Sequence, residues 1–427
     1  MNRLRRRLWV RPLAICLLSV AVVFVAKLAD NTNLALLVPE INLDSIESLL
    51  SIMATSMLVI ATFSVASMVS SYASASNTAT PRSFGLVVAD DVSQNALSTF
   101  IGAFIFSIVA LTAVKNDYFE TAGLLILFLL TVAVFGAIII TFVRWVDRIA
   151  RLGLLESTIY KVEKATAGAL QRRRNAPNLG GMPTQSHAGR RAVFATSVGY
   201  VQYIDIAVLQ QWAEEAQVRL VVAALPGTLA APDRALAYIV TIQGEQTDID
   251  CKRVVASFKI GTVRHFDDDP RLGLVALSEI AGRALSPAVN DPGTAIGVIG
   301  TLLRLFTLWS EPAPAGDDET APKYDRVEVP EVSVRDMFDD AFTAIARDGA
   351  GLVEVSVRLQ KALRSLALIG DSKMREAAEY HGRLALKRAQ MAMDTPEDLA
   401  AVRDVAKFAE SAASSKTQLA VSSMDRD

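Results

Sequence analysis

The chain has little to offer metal, redox or disulfide chemistry: two cysteines and three histidines in 427 residues. Cys16 lies in an apolar segment and Cys251 in polar sequence, so no disulfide framework is implied. His187, His265 and His381 are scattered, without a His-Glu-x-x-His spacing or a Cys/His cluster, which argues against zinc. A phosphate-binding Walker loop and a Gly-x-Ser-x-Gly nucleophile elbow are also missing. Neither a catalytic motif nor a cofactor is expected. Charge of one sign is lacking too. With 43 Lys and Arg against 45 Asp and Glu, the net charge of −2 gives no bulk attraction for nucleic acid.

What the chain has in excess is apolar sequence. Hydrophobic residues make up 52% of it, concentrated in the first third. That bias marks a membrane protein rather than a large soluble core. Thr121–Val143 runs 23 positions without a charge and stops at Arg144. As a helix it would rise about 34 Å, enough to cross a hydrocarbon layer of about 30 Å. Residues 1–150 are therefore expected to form a transmembrane domain. Its four spans fall near 13–29, 46–70, 96–114 and 121–143. Arg3, Arg5, Arg6, Arg7 and Arg11 precede the first span, and Arg144–Arg151 follows the fourth. The Asp30–Glu47 loop carries acids without Lys or Arg, which places both chain ends in the cytoplasm.

The second span is rich in hydroxyls. Ser51, Thr55 and Thr62 share one helical face; Ser56, Ser64, Ser67, Ser70 and Ser71 share the opposite one. Close helix packing is one use for them. The other is a wet pore lined by one of these faces in a homo-oligomer. No acid or base stands in the middle of a span, which disfavours proton-coupled transport.

The remainder reads as a cytoplasmic α+β part. Residues 151–192 combine an amphipathic helix, whose stripe begins upstream at Ile149 and runs through Leu152, Leu155, Ile159, Val162 and Thr166, and a polar linker. The linker arginines, Arg172–Arg174 among them, read as a solvated loop. Residues 193–262 hold short β-rich runs parted by turn residues and suit a small β-rich domain, a barrel or a sandwich. Residues 263–413 read as a helical domain, and 414–427 as a flexible tail. Asp269-Pro270 and Asp291-Pro292 each have the cap-then-proline pattern of a helix start. The helix after Asp291 is apolar nearly all round, so a buried position is expected. Glu279 and Arg283, four apart, suit an ion pair or a ligand contact. Asp267 and Asp268 are weak metal candidates, since their spacing matches no EF-hand.

Ala284–Ala295 reads ALSPAVNDPGTA. It resembles the signature of a bacterial family of predicted membrane proteins of unknown function, whose pattern is Arg-Ala-Leu-Ser-Pro-(Ala/Gly)-Ile-Asn-Asp-Pro-x-Thr-Ala. Ala61–Phe84 and Ser197–Asp205 resemble two further stretches of that family. Ser286, Pro287, Asn290, Asp291, Pro292 and Thr294 carry the signature here, with Val289 in place of the usual Ile. The resemblance implies an inner-membrane protein with several N-terminal spans and a cytoplasmic domain. It carries over no catalytic residue. The reading that follows is a homo-oligomeric channel or channel-like pore in contact with the lipid bilayer, its cytoplasmic part a vestibule or gate for an ion or small molecule. The alternative is a membrane-bound sensor or scaffold that binds a cytoplasmic ligand or partner.

Overall fold

Four helices occupy the first third of the chain: α1 (Val10–Leu28), α2 (Leu43–Thr78), α3 (Asp91–Lys115) and α4 (Thr121–Arg151). The computed structural model describes residues 10–28, 30, 42–78, 80–83, 85–86, 91–151, 154–187, 189–241, 250–312 and 322–409. The basic arm before Val10, most of the loop between α1 and α2, and the tail expected at 414–427 lie outside them. The chain divides into two compact units, Met1–Thr158 and Ile159–Asp427.

In the first unit each helix buries a narrow stripe. On α2 it is Ile46, Leu50, Met53, Met57, Ala61, Ser64 and Met68, at spacings of three and four. Phe100, Phe106, Leu127 and Trp145 from α3 and α4 fill the centre. The other faces point outward with large apolar side chains: Leu17, Val59 and Val143 are each more than 60% exposed. Such a surface is costly in water and suits lipid. Some buried hydroxyls turn back on their own helices, as Ser98 Oγ does to Gln94 O and Thr131 Oγ1 to Leu127 O. The start of α4 is tied from a distance. Asp30 accepts hydrogen bonds from Glu120 N at 3.0 Å and from Gly123 N, and lies 3.1 Å from Lys27 Nζ.

The second unit opens within α5 (Leu155–Asn175) and continues through β1 (Gly181–Met182), β2 (Arg190–Phe194), β3 (Gly199–Ile204), α6 (Ile206–Glu215), β4 (Val218–Val222), β5 (Leu229–Ala230), β6 (Ala235–Thr241), α7 (Lys252–Ala256) and β7 (Phe258–Gly261). Then come α8 (Pro270–Ala284), α9 (Pro292–Ser310), β8 (Tyr324–Glu328), α10 (Val334–Asp348), α11 (Val353–Ile369), α12 (Ser372–Ala392) and α13 over 396–409. The strands form a mixed five-stranded sheet, β1-β8-β4-β6-β2, and an antiparallel three-stranded one, β5-β3-β7. Leu209, Trp212 and Ala213 of α6 pack on the core that both sheets share.

Two expectations meet a different arrangement. The β-rich region is not confined to 193–262, because β1 and β8 from outside it belong to the larger sheet. β8, drawn from beyond two helices, lies parallel to β4 and separates it from β1. Val327 and Val329 supply the missing core contacts. Helix α9 is also not buried all round. It covers Ala295, Val298, Ile299, Leu302, Leu305 and Phe306, and leaves Gly297, Arg304 and Thr307 exposed. By length and composition four helices could cross a membrane: Leu43–Ser74, Val92–Lys115, Thr121–Ile149 and Pro292–Ser310, with Pro12–Leu28 shorter. Pro292–Ser310 is helix α9, and its packing assigns it to the globular unit. Phe306 lies 4.5 Å from Phe338 and 5.5 Å from Phe342, ring to ring, and Arg304 forms a two-pronged ion pair with Glu163.

Candidate ligand-binding cleft

The last turn of α5 carries three consecutive arginines that dock on three different segments. Arg172 Nη2 donates to Asp267 O, Arg173 Nη2 to Pro330 O at 2.8 Å, and Arg174 Nη1 to Glu311 Oε2 at 3.0 Å. The expectation of a solvated loop here is corrected. Val162, Thr166, Ala169, Leu170 and Arg173 form one buried stripe along α5. Cations at this end of a helix also complement its dipole.

Arg173 forms part of the wall of a cavity of about 270 Å³. Its other walls are the Leu225–Thr228 turn, the Arg264–Arg271 segment and the Pro330–Asp336 segment. Pro226 and Gly227 occupy the middle of the turn, where Thr228 N donates to Leu225 O at 3.0 Å. Gly227 has φ +93°, and a Cβ there would meet Asp269 Oδ2 at 2.4 Å, so glycine is required on both counts. Asp269 is the buried hub of the opposite wall. Its Oδ1 accepts from Arg271 N and Leu272 N, both at 3.1 Å, which caps α8. Arg264 grips the same carboxylate with Nε and Nη2, at 2.6 and 3.0 Å. Arg271 bridges to Asp340 Oδ2 at 2.6 Å and Asp336 Oδ2 at 2.7 Å. Glu331 is held by Lys373 Nζ at 2.8 Å.

Two charges in this wall stand apart. Arg173 is 4% exposed, and its Nε has no hydrogen-bond partner among the described residues. Burial pulls its guanidinium down to about 10, against the weaker upward pull of Glu331, so it stays cationic at neutral pH. Asp268 stands at the mouth, exposed to water. The protein mass around it, and then Asp267, still push its carboxyl above the usual aspartate range, against Arg172 and His265.

The other candidate residues lie elsewhere. Ser51, Thr55 and Thr62 are exposed on α2, and Thr55 and Thr62 donate to Ser51 O and Leu58 O of their own helix. Ser56 is exposed, Ser67 and Ser71 are half-buried, and Ser64 is buried with its Oγ unpartnered among the described residues. The signature residues build the α8–α9 connection. Ser286 Oγ donates to Arg283 O, Asn290 takes a left-handed φ of +49°, and Asp291 N returns to Ala284 O at 2.8 Å. Asp291 then caps α9, accepting from Thr294 N at 3.0 Å and Thr294 Oγ1 at 2.6 Å. Pro287 is exposed and Pro292 is the first residue of α9. Glu279 is half-buried and Arg283 exposed along α8. Of Asp267 and Asp268, the backbone of the first holds Arg172 and the second lines the cavity. Among the described residues no group of three or more His, Cys, Asp or Glu is placed to hold a metal ion.

A family model described as "Predicted membrane protein (DUF2254)" matches residues 5–365, which takes in α1 to α4 and the whole cleft. The chain belongs to the DUF2254 family. No curated protein and no solved structure matches it. As a DUF2254 member the chain is a membrane protein in contact with lipid, and its apolar outer faces on α1 to α4 have that physical reason. The family's function is unknown, so the cleft has to be read from its own chemistry.

Proposed function

We propose that this protein is a membrane-anchored sensor whose cytoplasmic unit binds a small solute in the cleft beside Arg173. One observation carries the reading: a cavity of about 270 Å³ whose walls come from four separate chain segments, each pinned by ion pairs or backbone hydrogen bonds. A hollow with a few convergent polar groups is what small-molecule sites look like. In this reading α1 to α4 cross a bacterial inner membrane, and both chain ends face the cytoplasm. Reporter fusions after positions 30, 75, 117 and 427 should then alternate out, in, out, in. The binding itself is tested by a thermal-shift screen of the full chain in detergent, with ions and metabolites. Ala223→Leu, which narrows the mouth of the cleft, should abolish any stabilisation found. A flat response across the screen would sink the reading.

The pore reading has one observation in its favour: Ser51, Thr55 and Thr62 line an exposed face of α2, open to a neighbouring subunit of a homo-oligomer. Against it, Leu58, Val65 and Val69 interrupt that same face, and the threonine hydroxyls are spent on their own helix. Conductance of the purified protein in planar bilayers, lost on Thr55→Val with Thr62→Val, would restore it.

A further inference from the structure

We propose that the cleft takes a small amino-acid-like zwitterion, its carboxylate held by Arg173 and its ammonium by Asp268. The proposal rests on the sensor reading above and names its ligand class. Most charges in the wall already have partners. Arg264 is committed to Asp269, Arg271 to Asp336 and Asp340, and Glu331 to Lys373. Arg173 and Asp268 remain, and no ion pair joins either of them to a described residue.

Arg173 carries the greater weight. Burying a cation without an anion is unfavourable, and proteins avoid it unless the charge has work to do. A guanidinium presents five N–H donors in a flat fork, and here one of them meets Pro330 O while Nε meets no described acceptor. The fork suits a planar carboxylate in two-pronged contact.

Asp268 narrows the class. Asp268 borders the same cavity and is the acid of its lining without an ion pair to a described residue, so it disfavours a doubly charged anion such as phosphate. A ligand with one carboxylate and one ammonium satisfies Arg173 and meets Asp268 with the opposite charge. The small volume favours a ligand of amino-acid size over a nucleotide.

The test is isothermal titration of the full chain in detergent with each of the twenty common amino acids and with inorganic phosphate. The tightest amino acid is then compared with its des-amino and decarboxylated analogues. At least one amino acid should bind, phosphate should not, and both analogues should bind more weakly. Arg173→Met should weaken binding about thirtyfold or more, as loss of a buried charge partner does. Arg173→Lys, which keeps the charge but not the fork, should weaken it as well and serves if the methionine variant misfolds. Asp268→Asn should cost about fivefold, in keeping with its exposed position, and should leave the des-amino analogue untouched. Phosphate binding more tightly than any amino acid overturns the proposal. So does amino-acid binding that survives both Arg173 variants. If no amino acid binds but another solute does, and Ala223→Leu abolishes it, the ligand assignment falls and the sensor reading stands. If nothing binds, both fall.

Discussion

Removing the Asp269 carboxylate separates its two jobs, capping α8 and neutralising Arg264. Serine at this position keeps a short oxygen for Arg271 N and Leu272 N but loses the charge. Alanine loses both. Asp269 is 3% exposed as a side chain and Arg264 19%, so the pair is largely shielded from water. Breaking a buried pair by deleting one member costs about 3–5 kcal/mol, and the partial exposure of Arg264 puts Asp269→Ser near 3 kcal/mol. Asp269→Ala adds about 1 kcal/mol for the lost cap. For a unit of this size each kcal/mol moves the melting temperature by about 2–4 °C. The serine variant should therefore melt roughly 6–12 °C below the wild type, and the alanine variant roughly 2–4 °C lower again. Trp212 and Trp309 lie in this unit and report its unfolding by intrinsic fluorescence in detergent. A serine variant that melts with the wild type would show that the Arg264 contact does not hold the wall of the cleft. Equal melting of the two variants would remove the cap from the account.

Gly273→Ala should destabilise by about 1–3 kcal/mol through overpacking, although alanine favours a helix by about 1 kcal/mol. Its Cβ would stand 1.7 Å from Oγ1 of Thr166, a buried residue whose hydroxyl is fixed to Val162 O at 2.6 Å. A thermal melt with increased stability would contradict the close approach of α5 and α8, and Thr166→Ala should rescue part of the loss. Asp291→Ala should cost about 1 kcal/mol as a lost cap. The Thr294 hydroxyl, then Thr294 N, hold the Asp291 carboxyl below the ordinary aspartate range. That stabilisation is therefore present above the ordinary value and lost as pH falls through the folded one, so variant and wild type should converge in acid melts. His381 is buried beside Phe338, with Asp339, Arg335 and Arg388 around it. Burial outweighs the opposing pull of Asp339 and lowers it from 6.5 to about 4. Its neutral form is the folded one, so the stabilisation is complete above pH 6.5 and is lost on acidification toward about 4. Replacing it by glutamine should flatten the pH dependence of melting across that window; an unchanged slope would assign the acid sensitivity elsewhere.

Local chemistry was legible in the sequence wherever it acts over a few residues. Absence of charge over 23 positions points to a bilayer-length helix, because Thr121–Val143 is almost wholly apolar. An aspartate followed by proline starts α8 and α9, because both the missing N–H and the carboxylate suit a helix entrance. The sheet was not legible in the same way. Tyr324–Glu328 follows an acidic, proline-rich stretch, and five residues carry too little pattern to reveal a partner strand about a hundred positions earlier. Strand pairing is a long-range choice, decided by which edge remains open once the helices are placed. Helix α9 misleads in the opposite direction. Composition alone admits it as a membrane span, and only the aromatic contacts of Phe306 and the ion pair of Arg304 place it in the globular core.

The cleft is the most instructive case. Three consecutive arginines next to Pro and Gly read as a polar linker by composition, and that reading weighs each residue alone. Carrying the α5 stripe three positions past Leu170 puts Arg173 on the buried face, where a linker would have no face at all. A period extended by one turn thus turns a solvated cation into a buried one, and a buried cation demands an anion. Two of the arginines around the cavity have theirs in Asp269, Asp336 and Asp340. Among the described residues Arg173 has a single backbone carbonyl as acceptor and only the weaker pull of Glu331, and the proposed sensor role gives a reason: a charge already neutralised by the protein could not discriminate a ligand. That is why Arg173, and none of the hydroxyls on α2, is the residue whose replacement should separate binding from folding.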